Sequence, residues 1–144
     1  MRNADVQGWL GTAAALLVGA AVAFAGGQGS VFWHGWPLFV LCALLAYAVQ
    51  WVVFVPSFLA HTEHYFDLTG SLTYLTVTAL ALFAGTGDLR AGVIALLVAV
   101  WALRLGSFLF VRVKQDGADG RFDVLKFSFP RFFMTWTIQG LWVF

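Results

Sequence analysis

The sequence predicts an all-α protein, a polytopic transmembrane helix bundle with four full spans and a truncated fifth. Three observations carry that expectation. Of the 144 residues, 61% are hydrophobic and only 10% charged, against about 25% charged in a soluble domain. The apolar residues come in runs of the length an α-helix needs to cross a hydrocarbon core, about 20 residues. Short connections separate those runs and collect most of the charge.

The first run extends from Gly8 to Ala25. Its "AFAG" end superficially fits a signal-peptide cleavage site, but further spans follow and the run suits a first membrane helix. Gly11, Ala15, Gly19 and Ala23 recur every fourth residue and predict a ridge against which another backbone packs closely. The second run, Pro37 to Ala60, holds Cys42, the single cysteine, which excludes an intrachain disulfide and a thiolate zinc site. Leu68 to Gly85 and Ala91 to Val111 complete the four spans, joined by "GGQGSVFWHGW", "HTEHYFDLTG" and "GTGDLR". A last run, "FFMTWTIQGLWVF", follows Arg131 and has 13 residues. It reaches about 20 Å, too short to cross, and a helix stopping in hydrocarbon leaves carbonyls unpaired. Residues 1–144 are therefore expected to form a single transmembrane domain that is the N-terminal part of a longer protein.

Charge bias predicts orientation. Arg2, Arg112, Lys114, Arg121, Lys126 and Arg131 fall on one side of the membrane and Arg90 on the other. The N-terminus and the loops 61–69 and 112–131 are thus expected in the cytoplasm, with Trp33, His34 and Trp36 in the outer aromatic belt. The net charge of +1 and the scattered bases exclude a nucleic-acid groove. The lipid bilayer is the predicted surrounding.

Polar groups converge on the basic side. Arg104 stands about 10 Å inside the fourth span, where a charge costs at least about 2.5–3.5 kcal/mol near the bilayer centre. It either faces the bundle with a specific partner or snorkels to the headgroups. Glu63 and Asp67 are candidate partners. Tyr74 follows Asp67 by two helical turns and shares its face if the helix has begun by residue 67; Asp67 or Thr69 equally suits the helix N-cap. His61 and His64 in "HTEH" lack the HExxH spacing and are read as loop residues, with no metal expected. The "DG" pairs at 116–117 and 119–120 predict consecutive turns using Gly117 and Gly120. The bases around them suit either a dinucleotide phosphate or anionic headgroups, and spacing alone favours the headgroups.

Three separated motifs, "TEHYFDLTGSLTYL", "WALRLGSFLFVRVKQDGADGRFD" and "FFMTWTIQGLWVF", occur in an order that resembles the bacterial steroid 5-alpha-reductase-like membrane proteins, a domain of unknown function related to steroid reductases and isoprenylcysteine carboxyl methyltransferases. The resemblance covers about Pro56 to Phe144. It implies a bacterial inner-membrane enzyme that uses NADPH to reduce an activated carbon–carbon double bond in a hydrophobic, steroid- or isoprenoid-like substrate. Family members continue into a half carrying an arginine–histidine–proline–asparagine–tyrosine motif, absent here, that holds much of the cofactor site. The animal enzymes place a glutamine–glutamate pair before a proline–serine, where "VFVPSF" puts Val53 and Phe54, so the acid's role is expected to move to Glu63. On this basis Glu63 and Tyr74 are the expected proton-donating or carbonyl-polarising pair, Asp67 and Arg104 orient them, and Arg112, Lys114 and Arg121 hold cofactor phosphates. Alternatives are a lipid methyltransferase on the same kind of bundle, or a non-enzymatic transport or assembly protein in which Arg104 pairs with Glu63 or Asp67. The 144 residues alone are expected to be inactive.

Overall fold

The computed structural model describes residues 2–116 and 120–144. Five helices account for most of them: α1 (Arg2–Gly27), α2 (Leu38–Leu59), α3 (Phe66–Ala84), α4 (Leu89–Asp116) and α5 (Phe129–Val143). The first four are long and apolar enough to cross a membrane, so the protein is an all-α transmembrane bundle. Two helices outrun their predicted spans. α1 takes in the polar residues from Arg2, and α4 continues five residues past Val111 to Asp116. Hydrophobicity reports only the hydrocarbon segment, whereas backbone hydrogen bonding continues the helix into the headgroup layer. One end of the bundle is basic: it gathers the start of α1, the ends of α2 and α4, the starts of α3 and α5, and two 3-10 turns, Gly120–Phe122 and Leu125–Phe127. Most of the expected turns over 116–120 fall outside the described residues.

The opposite end carries a feature the sequence reading did not anticipate. β1 (Phe32–Trp33) and β2 (Trp36–Pro37) pair antiparallel, Phe32 opposite Pro37 and Trp33 opposite Trp36. The two residues between them, His34 (φ 49°) and Gly35 (φ 84°), both adopt positive φ, the backbone a two-residue hairpin turn of this twist requires. The amides of Leu38 and Phe39 then donate to the Val31 carbonyl and the Ser30 hydroxyl oxygen, fastening the hairpin to the start of α2.

α5 sits at the centre although it is the shortest helix. It packs on α1, α2 and α3, and Phe132, Trp136 and Thr137 are fully buried. The small-residue side of α1 runs from α5 to Tyr47 of α2, and of the four forecast positions Ala15 and Gly19 are buried while Gly11 and Ala23 are half-buried. Gly8, Thr12, Ala15 and Gly19 are the buried line, with Gly11 at its edge against Met134 and Gly19 against Tyr47. A Cβ on Gly8 would stand 2.7 Å from the Pro130 carbonyl carbon, so the two backbones touch there. Phe54, Phe122, Phe132 and Trp136 form the buried core, which Phe58, Phe66 and Phe133 extend. α4 rests mainly on α3 and is the least buried of the four spans.

Candidate functional site

The segment between α2 and α3 is built as a clasp. Past the end of α2 the chain reverses at His61, whose φ of 48° is left-handed, and the Thr62 amide returns to the Ser57 carbonyl at 2.9 Å. This turn drives the Glu63 side chain inward, where it is 2% exposed and accepts from Lys126 Nζ at 3.0 Å. Four residues on, Asp67 Oδ2 lies 3.6 Å from Arg121 Nη2. His61 adds a third tie, with Nδ1 3.2 Å from the Lys126 carbonyl oxygen and its ring between Phe58 and Phe127. Residues 61–67 thus hold the 3-10 segment 120–127 over the aromatic core. Attraction in the buried Glu63–Lys126 pair is strong but offset by lost hydration. The Asp67–Arg121 pair, with Arg121 62% exposed, contributes little.

α3 begins at Phe66 with Tyr65 in the N-cap position and no side-chain cap. Asp67 is therefore inside the first turn and neither it nor Thr69 caps; the Thr69 hydroxyl donates instead to the Tyr65 carbonyl. Because the helix has begun before residue 67, Asp67 and Tyr74 do share the face towards α4 and the segment that follows it. Tyr74 meets Trp101 of α4 edge-on, ring centroids 4.9 Å apart. One turn further along α4, Arg104 lines an open cleft of about 420 Å³ with Trp101, Leu105 and Phe108. Its side chain is exposed, and it pairs with neither Glu63 nor Asp67.

The expected four-residue gathering is accordingly split in two. Glu63 and Asp67 belong to the clasp; Arg104 lines the cleft, and Tyr74 reaches it only through its contact with Trp101, with about 12 Å of helix between the start of α3 and Tyr74. The acids turned to Lys126 and Arg121 because the loop after α4 folds back across the bundle end, which brings cations closer than Arg104. Of the expected phosphate ligands, Arg112 and Lys114 stand on the extension of α4 rather than in a loop, Lys114 with its ammonium 5.2 Å from the centre of the Phe110 ring. Arg121 lies over Phe122 at 5.5 Å.

A second polar group, inside the membrane, was missed. Gln50 of α2 donates to Thr73 of α3 at 2.9 Å, and Trp51 of α2 donates to Thr137 of α5 at 3.2 Å. Gly70 leaves room for the amide of Gln139, whose Nε2 would be 2.5 Å from a Cβ at that position. The signal was present in "YAVQW" and "TIQGL", since a glutamine within a membrane span needs a partner from a neighbouring helix. Gln50 and Thr73 are fully buried, and this seam joins α2, α3 and α5 under the clasp.

A family model described as "Protein of unknown function (DUF1295)" matches residues 53–144. That stretch starts beside Phe54 and takes in the clasp, the cleft and α5; α1 and the hairpin lie before it. No curated protein and no solved structure matches the chain.

Proposed function

The chain belongs to the DUF1295 family, and from that premise we propose that it is part of a membrane-embedded, NADPH-dependent reductase of an activated carbon–carbon double bond in a lipid-like substrate. The observation that carries this reading is the cleft within the spanning region. Its walls are Trp101, Leu105 and Phe108 with the Arg104 guanidinium among them, and the Tyr74 phenol of α3 stands behind the Trp101 indole, ring against ring. The motif resemblance to steroid 5-alpha-reductase-like proteins supports the same class.

In this reading the apolar body of the substrate rests on Trp101, Leu105 and Phe108. Tyr74 Oη donates a hydrogen bond to the conjugated carbonyl oxygen and stabilises the negative charge that develops there. Arg104 adds positive potential on the same side. NADPH, when bound, supplies the hydride that reaches the β carbon, and a proton from solvent completes the α carbon. The donor set at the basic end fits the phosphates of such a cofactor: Arg112, Lys114 and the mostly exposed Arg121 share that end. Glu63 serves by holding the 120–127 segment in place rather than as a proton donor.

Thermal unfolding of the intact protein separates this reading from its rivals. A ligand at 100 times its Kd adds about 2.7 kcal/mol to the folded state, so NADPH is expected to raise Tm clearly and S-adenosylmethionine to leave it unchanged. Protection by S-adenosylmethionine alone would indicate a lipid methyltransferase. No protection by either would indicate a non-enzymatic membrane protein.

A further inference from the structure

Among the described residues, Gln50 Oε1, Ser57 Oγ, Trp136 Nε1 and Gln139 Oε1 are enclosed side-chain atoms without a protein partner. Ser57 stands two turns nearer the basic end than Gln50, and its hydroxyl can turn to a carbonyl of its own helix. The other three belong to the seam of α2, α3 and α5. Thr73 Oγ1 donates to the Thr69 carbonyl at 2.7 Å and so accepts from Gln50 Nε2. The oxygen is then the unpaired end of the Gln50 amide.

Packing brings the three atoms to one level. The Gln50 stem lies against Gly140, the residue after Gln139: a Cβ there would stand 3.4 Å from Gln50 Cγ. The Gln139 amide lies over Gly70, one turn of α3 from Thr73. Trp136 precedes Gln139 by one turn of α5, and its ring meets Phe54 of α2 and Phe66 of α3. Gln50 is nine residues before the end of α2, about 14 Å along the helix from the basic end. That is close to the middle of a hydrocarbon core of about 30 Å, where an unpaired carbonyl or N–H is costly.

We infer that the seam binds water at this level, held by Gln50 Oε1, Gln139 Oε1 and Trp136 Nε1. Water matches the set in kind and number: two hydrogens for the two amide oxygens and a lone pair for the indole N–H. A cation suits the oxygens but not the indole, which only donates. A lipid or substrate hydroxyl would need an opening, and Gln50, Thr73, Trp136 and Thr137 are closed to the surface. Bound there, water ties three helices together at a depth where neither amide oxygen has another donor. The inference is independent of the catalytic reading of the α3–α4 cleft.

Water-edited solid-state NMR of the full chain in lipid bilayers tests this. Magnetisation that starts on water should reach the Trp136 indole N–H and the side-chain amides of Gln50 and Gln139. It should not reach Ala102, equally buried on α4. Gln50→Met and Gln139→Met each remove one acceptor at similar volume, and each should lower the transfer to Trp136 about fivefold, the weight of one net hydrogen bond. Ile138→Met, at an exposed position of α5, should leave it unchanged. The wild-type spectrum decides by itself if a variant fails to fold: no transfer from water to Trp136 overturns the inference, and so does transfer that starts from lipid acyl protons instead. Transfer from water that ignores both glutamine substitutions would overturn it as well.

Discussion

Glu63 gives up its hydration on burial and accepts from the Lys126 ammonium at 3.0 Å. Removing one member of such a pair strands the other, at a cost of about 3 kcal/mol. Glu63→Gln is therefore expected to lower Tm sharply in detergent, and adding Lys126→Met should recover most of the loss. If Glu63→Gln instead leaves Tm alone and removes activity, the carboxylate acts on substrate and the clasp is secondary. The coupling between Asp67 and Arg121, measured by a double-mutant cycle, should amount to less than about 1 kcal/mol, since Arg121 is largely in water. Tyr74→Phe deletes only a hydroxyl and keeps the ring against Trp101. It should leave Tm intact and reduce turnover of an unsaturated lipid carbonyl, followed as NADPH oxidation, by about 100-fold or more; near-normal turnover would remove Tyr74 from the mechanism. At this scale the sequence displayed the polar groups but not their pairing. Glu63 and Lys126 are separated by 63 positions, and no local pattern tells an acid which distant base the fold will bring.

Helix contacts show where periodic patterns suffice and where they stop. The alternation of small residues on α1 announced a close approach, yet a repeat of four drifts around a helix of 3.6 residues per turn, so the buried line runs through Gly8, Thr12, Ala15 and Gly19. Gly8 and Gly11 differ in what surrounds them: Pro130 backbone at Gly8, the flexible Met134 side chain at Gly11. Gly8→Ala should consequently destabilise by about 1–3 kcal/mol, clearly more than Gly11→Ala, as read from thermal unfolding of the two variants. Equal effects would mean that α1 and α5 are not in backbone contact. Phe54→Ala removes the ring that touches Phe58, Phe129, Phe132, Phe133 and Trp136, and about 3–5 kcal/mol is expected to go with it. The hairpin escaped notice because only two residues per strand pair, too few for alternation to register, although His34–Gly35 between aromatics is turn chemistry.

For the whole molecule, the number of spans was legible because hydrocarbon thickness fixes the length of an apolar run. The arrangement around α5 was not, since all faces of these helices are greasy and the hydrophobic pattern no longer points inward. Orientation is open to direct test. With the buried Cys42 replaced by alanine, a cysteine at Asp123 should react with a membrane-impermeant maleimide only after cells are permeabilised. One at Gly29, where a side chain meets open space, should react in intact cells; the reverse result would invert the topology. α4 has a mechanical consequence as well. It is one unbroken rod of 28 residues, with cations on its protruding end and the Trp101–Tyr74 contact midway along. Torque delivered by an anion gripping that end would be felt at the aromatic contact without any intervening hinge, and Trp101 would report it as a change in emission.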